Sequence, residues 1–357
     1  MRMKSGTWVW LVILVGLGFL LSCSTNSSSS SSTGALYVTT QGDALVSFFS
    51  VNLGTGSITA NGTSVATGTT PSAIILTSSG DAAFVANRDS NDISRCTIKS
   101  DSTLTAVSGN TPTGTTPVDM AIDSAGHFLF VANRGSDDIS VFSIGSGAGL
   151  TEIAGSPFST APNPVAVTSS GSFLYVANNV SGVISAYSVD SAGALTPVPG
   201  PSFTAGTTPS GVAVTPDGKF LYATNSGSNN VSAFMINSDG SLTSISGSPF
   251  SAGVGPVSPR VDPSGLFLYA ADEQSNQVSQ YKISSTTGTL TAISPPTIST
   301  GVNPVWLAIH PGGKYLYVAN IGGASISAYT LNTTTGVLGV VGSPFTTGGQ
   351  PAAIALK

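Results

Sequence analysis

The sequence predicts an all-β, seven-bladed propeller with four antiparallel strands per blade, and three observations carry that prediction. A segment like PSGVAVTPDGKFLYATNSGSNNVSAFMI, Pro209 to Ile236, returns along most of the chain. The residue ending its second strand recurs at Thr40, Asn87, Asn133, Asn178, Asn225, Asp272 and Asn320, in steps of 47, 46, 45, 47, 47 and 48 residues. Inner-strand copies begin at Pro71, Pro117, Pro162, Pro209, Pro256 and Pro304, and the seventh lies at the far end, Pro351 to Lys357. The opening segment from Ala35 to Val65 therefore supplies three strands of a blade whose innermost strand comes from the C-terminus. Closing a ring in this way removes exposed strand edges. The alternative, an open solenoid, needs polar capping repeats and no end strand that completes the beginning.

Each element of the repeat has a local cause. VAV and FLYAT are β-branched and aromatic runs, and Thr215-Pro216-Asp217-Gly218 between them supplies the dihedrals of a tight reversal. After Asn225 a polar loop leads into VSAFMI, whose alternation has the period of a third strand. Asp239-Gly240 turns the chain into SLTSISGSPF, a fourth strand leaving through Pro249. The Gly-Ser-Pro-Phe segments at 155–158, 247–250 and 342–345 read as structural exits from outer strands.

Ahead of the repeats, Arg2 and Lys4 precede an apolar run from Trp8 to Leu21, too short to span a bilayer comfortably but of signal-peptide length. Leu20-Leu21-Ser22-Cys23 resembles a bacterial lipobox, which implies cleavage before Cys23 and a lipid on that cysteine. An uncleaved anchor and a soluble periplasmic protein are the alternatives. Ser24 to Thr33 holds no apolar residue to bury and reads as a flexible tether. The expected organisation is a signal peptide over 1–22, a tether over 23–34 and a propeller over 35–357. Residence in the cell envelope, with a membrane link through the lipid, follows.

Composition limits the partners. Only 8% of residues are charged and the net charge is −5, which argues against nucleic acid, since phosphate binding needs clustered Lys and Arg. With Cys23 acylated, Cys96 has no partner for a disulfide. It stands where other repeats carry Phe142, Tyr187, Phe234, Tyr281 and Tyr329 and is expected to be an inert buried hydrophobe.

FLFVAN, FLYVAN, FLYATN and YLYVAN, each after a Gly turn and before an Asn-rich loop, resemble the YVTN-repeat propellers. They also resemble the lactonase-type seven-bladed propellers, a family that includes 6-phosphogluconolactonases and muconate-lactonizing enzymes. The resemblance spans nearly the whole mature chain and implies the fold; the chemistry must be argued from a site. That family carries a Pro-His-x-His segment on an inner strand, whereas the corresponding prolines here precede Ser, Val, Asn and Ala.

Candidate site residues are those that one repeat has and the others lack. The repeated Asn is expected to hydrogen-bond the backbone of the loop that follows it. Arg88 and Arg134 follow that Asn in adjacent repeats, on one mouth of the channel, where two arginines clamp a carboxylate or phosphate. Pairing with their own loop acids Asp89, Asp92, Asp137 and Asp138 is the competing role. Arg260 aligns with Ala121, Ala166, Ala213, Ala308, Ala355 and Ile75, close to the axis, so it must reach into the channel or find an acid. At the upper end of these strands Ala73, Asp119, Pro164, Gly211, Ser258, Trp306 and Ala353 align, and Asp119 and Trp306 are the departures. Asp119 is a weak catalytic candidate beside Arg260, and Trp306 offers a stacking or packing surface. At the lower end Thr77, Asp123, Thr168, Thr215, Asp262 and His310 align as turn caps.

No cofactor motif, metal-ligand cluster or nucleophile elbow is present in the sequence. Two functions remain. The leading one is a lipid-anchored scaffold whose Asn-rich face binds an envelope protein, a glycan or a small anionic ligand. The rival is a lactone hydrolase in which Arg260, Arg88 and Arg134 hold an anionic sugar acid.

Overall fold

Seven four-stranded units surround an axis, and the computed structural model describes residues 33–200 and 202–357. The signal-like segment, Cys23, where lipidation was expected, and most of the expected tether lie outside the described residues. The first strand is Thr33–Thr40, so Thr33 and Gly34, read as the end of the tether, pair with Asn52 and Val51. Within each unit the inner strand opens on a proline and pairs on one side only, leaving its other edge toward the axis. Blade one is closed by Pro351–Leu356, whose Leu356, Ala355, Ile354 and Ala353 pair with Leu36 through Thr39. Ile354 is buried at 3% exposure, so the end strand is part of the core rather than a frayed tail.

The blades are stapled by the aromatic runs of their second strands. Tyr222 Oη donates to Gly288 O at 2.8 Å, and Tyr175, Tyr269 and Tyr317 do the same to Gly240, Gly336 and Gly56, each on the outer turn of the next blade. Those glycines have positive φ, and at Gly288 and Gly336 a Cβ would sit within 2.4 and 2.2 Å of the Phe220 and Phe267 rings. Only glycine permits both the turn and the close approach of the ring. Cys96 is buried at the predicted aromatic position, and burial pushes its thiol up to about 11, well away from reactivity.

The structure departs from the sequence expectations at three places. In blade four the inner strand runs Pro164–Ser170, not from Pro162: Pro164 pairs with Asn178 as Pro209 pairs with Asn225. The hairpin of that blade is shortened to a turn at Gly171 and Ser172, and Pro162 lies in the preceding loop, so a proline in the loop mimicked the strand start. Thr168, not Ala166, is therefore the counterpart of Arg260, and Ala166, not Pro164, is the counterpart of Asp119. Second, the repeated Asn bonds mainly to side chains. Asn225 Nδ2 donates to Asn230 Oδ1 and Ser232 Oγ, and Asn133 to Asp138 and Ser140, because these groups face it across the strand pair. Asn178 alone reaches backbone carbonyls, of Val176 and Val183. Third, the Gly-Ser-Pro-Phe segments interrupt outer strands: Leu242–Ser244 is followed by Phe250–Ser251, and both pair with Asn230–Ile236.

Candidate functional site

The axial channel holds two cavities, about 320 Å³ above and about 460 Å³ below, and Asp119, Val212, Arg260 and Trp306 line both. These four residues form a waist. They come from blades three, five, six and seven, at the middle of each inner strand.

Local backbone places Arg260. Its inner strand skips register between Val257 and Arg260, Ser258 has φ of 48°, and Pro259 supplies no N–H. Arg260 then pairs with Tyr269, as Ala213 pairs with Tyr222, but carries a long side chain where the other strand has a methyl group. Its guanidinium donates to Pro259 O at 2.9 Å and lies 4.8 Å from the centroid of the Trp306 ring, within cation–π range. Among the described residues no carboxylate lies within 4.0 Å of it, since the ion pairs there are Arg88–Asp89 and Lys219–Asp217. Burial lowers its pKa and the charge of Asp119 raises it in return.

Asp119 is held by the neighbouring strand edge: its Oδ2 accepts the Val167 N–H at 2.9 Å. Burial pushes its carboxyl up to about 6, against the pull of that N–H and of Arg260. Trp306 Nε1 donates to Ile354 O at 3.0 Å, so the ring that supports Arg260 is itself anchored on the closing strand. Ser258 completes the pattern, with its Oγ accepting the Leu307 N–H at 3.0 Å. Each of these three side chains satisfies a backbone group on the free edge of the next blade.

The two arginines of the mouth separate. Arg88 lines the upper cavity, with Nε 3.2 Å from Asp89 Oδ1. Arg134 does not line it, and among the described residues it forms no ion pair within 4.0 Å. Asp137 and Asp138 are engaged elsewhere, with the Asn163 N–H and Asn133. Glu273 lines the upper cavity and was missed from sequence. It occupies in blade six the slot of Arg88 and Arg134, immediately after the second strand, and its N–H donates to Gly255 O as that of Arg88 does to Thr70 O. Alignment to that slot was the signal that could have found it. His310 is a turn cap, its Nδ1 accepting the Gly312 N–H.

A family model described as Lactonase, 7-bladed beta-propeller matches residues 96–200 and 194–298, together more than half of the chain. The chain belongs to this lactonase family. No curated protein matches it. Among solved structures, a candidate 6-phosphogluconolactonase from Bacteroides fragilis is similar at 24% identity and TM-score 0.80, covering 92% of this chain and 99% of its own. A candidate 6-phosphogluconolactonase from Bacteroides uniformis is 21% identical, with TM-score 0.80 over 91% of this chain and 99% of its own. A periplasmic gluconolactonase from Pseudomonas aeruginosa is 19% identical, with TM-score 0.79 over 91% and 99%. At these identities the likeness establishes the fold of this lactonase-family chain.

Proposed function

We propose that the domain hydrolyses a sugar lactone in the upper channel. The observation that carries this reading is a guanidinium at the waist, stacked on Trp306, unpaired within 4.0 Å among the described residues and facing Asp119. A cation so placed holds an anionic group or a developing oxyanion. The cavity of about 320 Å³ has the size of a small-ligand site. Family membership and the lactonase names of similar structures support lactone over other esters.

In this reading Asp119, near pKa 6, is the general base. It takes a proton from water as the water oxygen bonds the lactone carbonyl carbon. The carbonyl oxygen gains charge beside Arg260. The ring C–O bond then breaks, the leaving oxygen takes the proton back from Asp119, and the product hydroxy acid ionises to a carboxylate. Arg88 and Glu273 at the mouth orient the hydroxyl or anionic substituents of the sugar. The lipobox-like Cys23 and the signal-like segment support placing this activity at the cell envelope, anchored by lipid.

The test is acid release from glucono-1,5-lactone and its 6-phosphate. Arg260→Ala is expected to lower kcat/KM by about 10²–10³. Activity should rise with pH through about 6, as the carboxylate forms, and Asp119→Asn should remove both that limb and most of the turnover. Absence of lactone hydrolysis by the wild-type protein would leave a binding scaffold as the better account.

A further inference from the structure

The waist has a donor that no side chain reveals. At one level of the ring, the third residue after the opening proline, each inner strand turns its backbone groups away from its own sheet and toward the axis. Val167 N–H points to Asp119, Leu307 N–H to Ser258 and Ile354 C=O to Trp306. Their cross-strand partners, Val176, Val318 and Val38, each stand two residues before the end of the second strand. In an antiparallel ladder, residues at this register form the pair without mutual hydrogen bonds, so both their N–H and C=O face outward.

Val212 stands at the same level, opposite Ala223, which is two residues before Asn225. Among the described residues no side chain caps it. The preceding blade contributes Ala166 at the capping position, where blade three contributes Asp119. Val212 also lines both cavities, between Asp119 and Arg260 in the order of the blades. The next strand at this level has Pro259, which has no N–H to offer.

We propose that the Val212 N–H and the Arg260 guanidinium form a two-sided oxyanion cradle at the channel waist, which takes a carboxylate in the ground state and the carbonyl oxygen of the lactone in turnover. The role in turnover rests on the hydrolase reading, and the cradle itself does not. An N–H on a rigid strand edge and a fixed cation require no reorganisation as charge develops, which is the arrangement that stabilises such a transition state. An uncapped buried amide also gains more from an anion than a solvated one does.

The test titrates D-gluconate into the protein and follows backbone amide resonances. The Val212 amide should move by several times the shift of the Val167 amide, which Asp119 already occupies. Val212→Pro removes the N–H, and Val212→Ala controls for the change of side chain. Blade six already carries a proline at this level, Pro259, in a strand whose register shifts to take it. Val212→Pro should weaken gluconate at least tenfold relative to Val212→Ala, and should lower kcat on lactone by about 10²-fold with KM within threefold. A silent Val212 amide overturns the cradle, whether or not Arg260 binds the anion and whether or not Val212→Pro folds. An amide that shifts in a protein without lactone hydrolysis keeps the cradle and removes the hydrolase.

Discussion

Blades five and six differ by little in sequence and by much at the axis. Away from the channel they superimpose in function: Phe220 and Phe267 are buried, Tyr222 and Tyr269 donate to Gly288 and Gly336, and Tyr281 and Phe234 fill the same site. At the axis, Gly211-Val212-Ala213 becomes Ser258-Pro259-Arg260, and Asn225-Ser226 becomes Asp272-Glu273. The wedge between blades sets the former positions, so any change there would disturb two neighbours. Inner edges and the residues just after the second strands face the channel, where Arg260, Arg88 and Glu273 vary from repeat to repeat. Chemistry in this molecule is written at the axis, not in the wedges between blades.

The most severe way to break that contrast is to rewrite blade six as blade five. The triple change Ser258→Gly, Pro259→Val, Arg260→Ala should lower lactone kcat/KM by about 10³ or more, roughly 4 kcal/mol. It should cost only about 1–2 kcal/mol of stability, because Leu307 loses its Ser258 cap. A larger loss of stability, measured by urea titration, would show that blade six depends structurally on its irregular strand.

A smaller effect is expected at Asp272, which replaces the repeated Asn. It is fully buried, its Oδ2 accepts from Ser279, its Oδ1 has no partner among the described residues, and burial pushes its pKa up to about 7. An acid whose folded pKa is raised contributes stability that is complete below its unfolded value and is lost as pH rises through about 7. The protein should therefore be less stable at pH 8 than at pH 5. Asp272→Asn should raise stability at pH 8 by on the order of 2 kcal/mol and leave a weaker slope of the same sign from Asp119, opposed by His310, whose burial lowers its pKa. Equal urea midpoints for the two proteins at pH 8 would show that the acid is accommodated as readily as the amide.

The smallest effect sharpens the likeness. Tyr222→Phe and Tyr269→Phe should each cost about 1 kcal/mol, the value of one hydrogen bond. Costs that differ by more than twofold would show that the interblade staples are not equivalent.

How much of this was legible varies with what carries it. The number of blades and the closing strand were legible because the 45- to 48-residue repeat is a property of side chains. Arg260, Asp119 and Trp306 were legible as departures from small residues, and the structure brings all three to one waist. Blade four was misaligned because Pro162 stands two residues before Pro164, and no residue type marks a shortened hairpin. Arg134 could not be separated from Arg88, since blade position alone gives them the same rank. Val212 was invisible, because a backbone N–H has no letter of its own.

The bond from Trp306 to Ile354 ties the site to chain order. Strand Pro351–Leu356 pairs with Leu36 to Thr40, and Thr39 Oγ1 meets the Ala353 N–H across 314 residues of sequence. Contacts of such separation form late, after the intervening loop has been closed by other structure. A nascent chain lacking residues 351–356 can hold Asp119 and Arg260, but not the anchored ring on which the guanidinium rests. During vectorial synthesis the waist thus comes into being only once this strand has emerged, and shorter translation products stay without it.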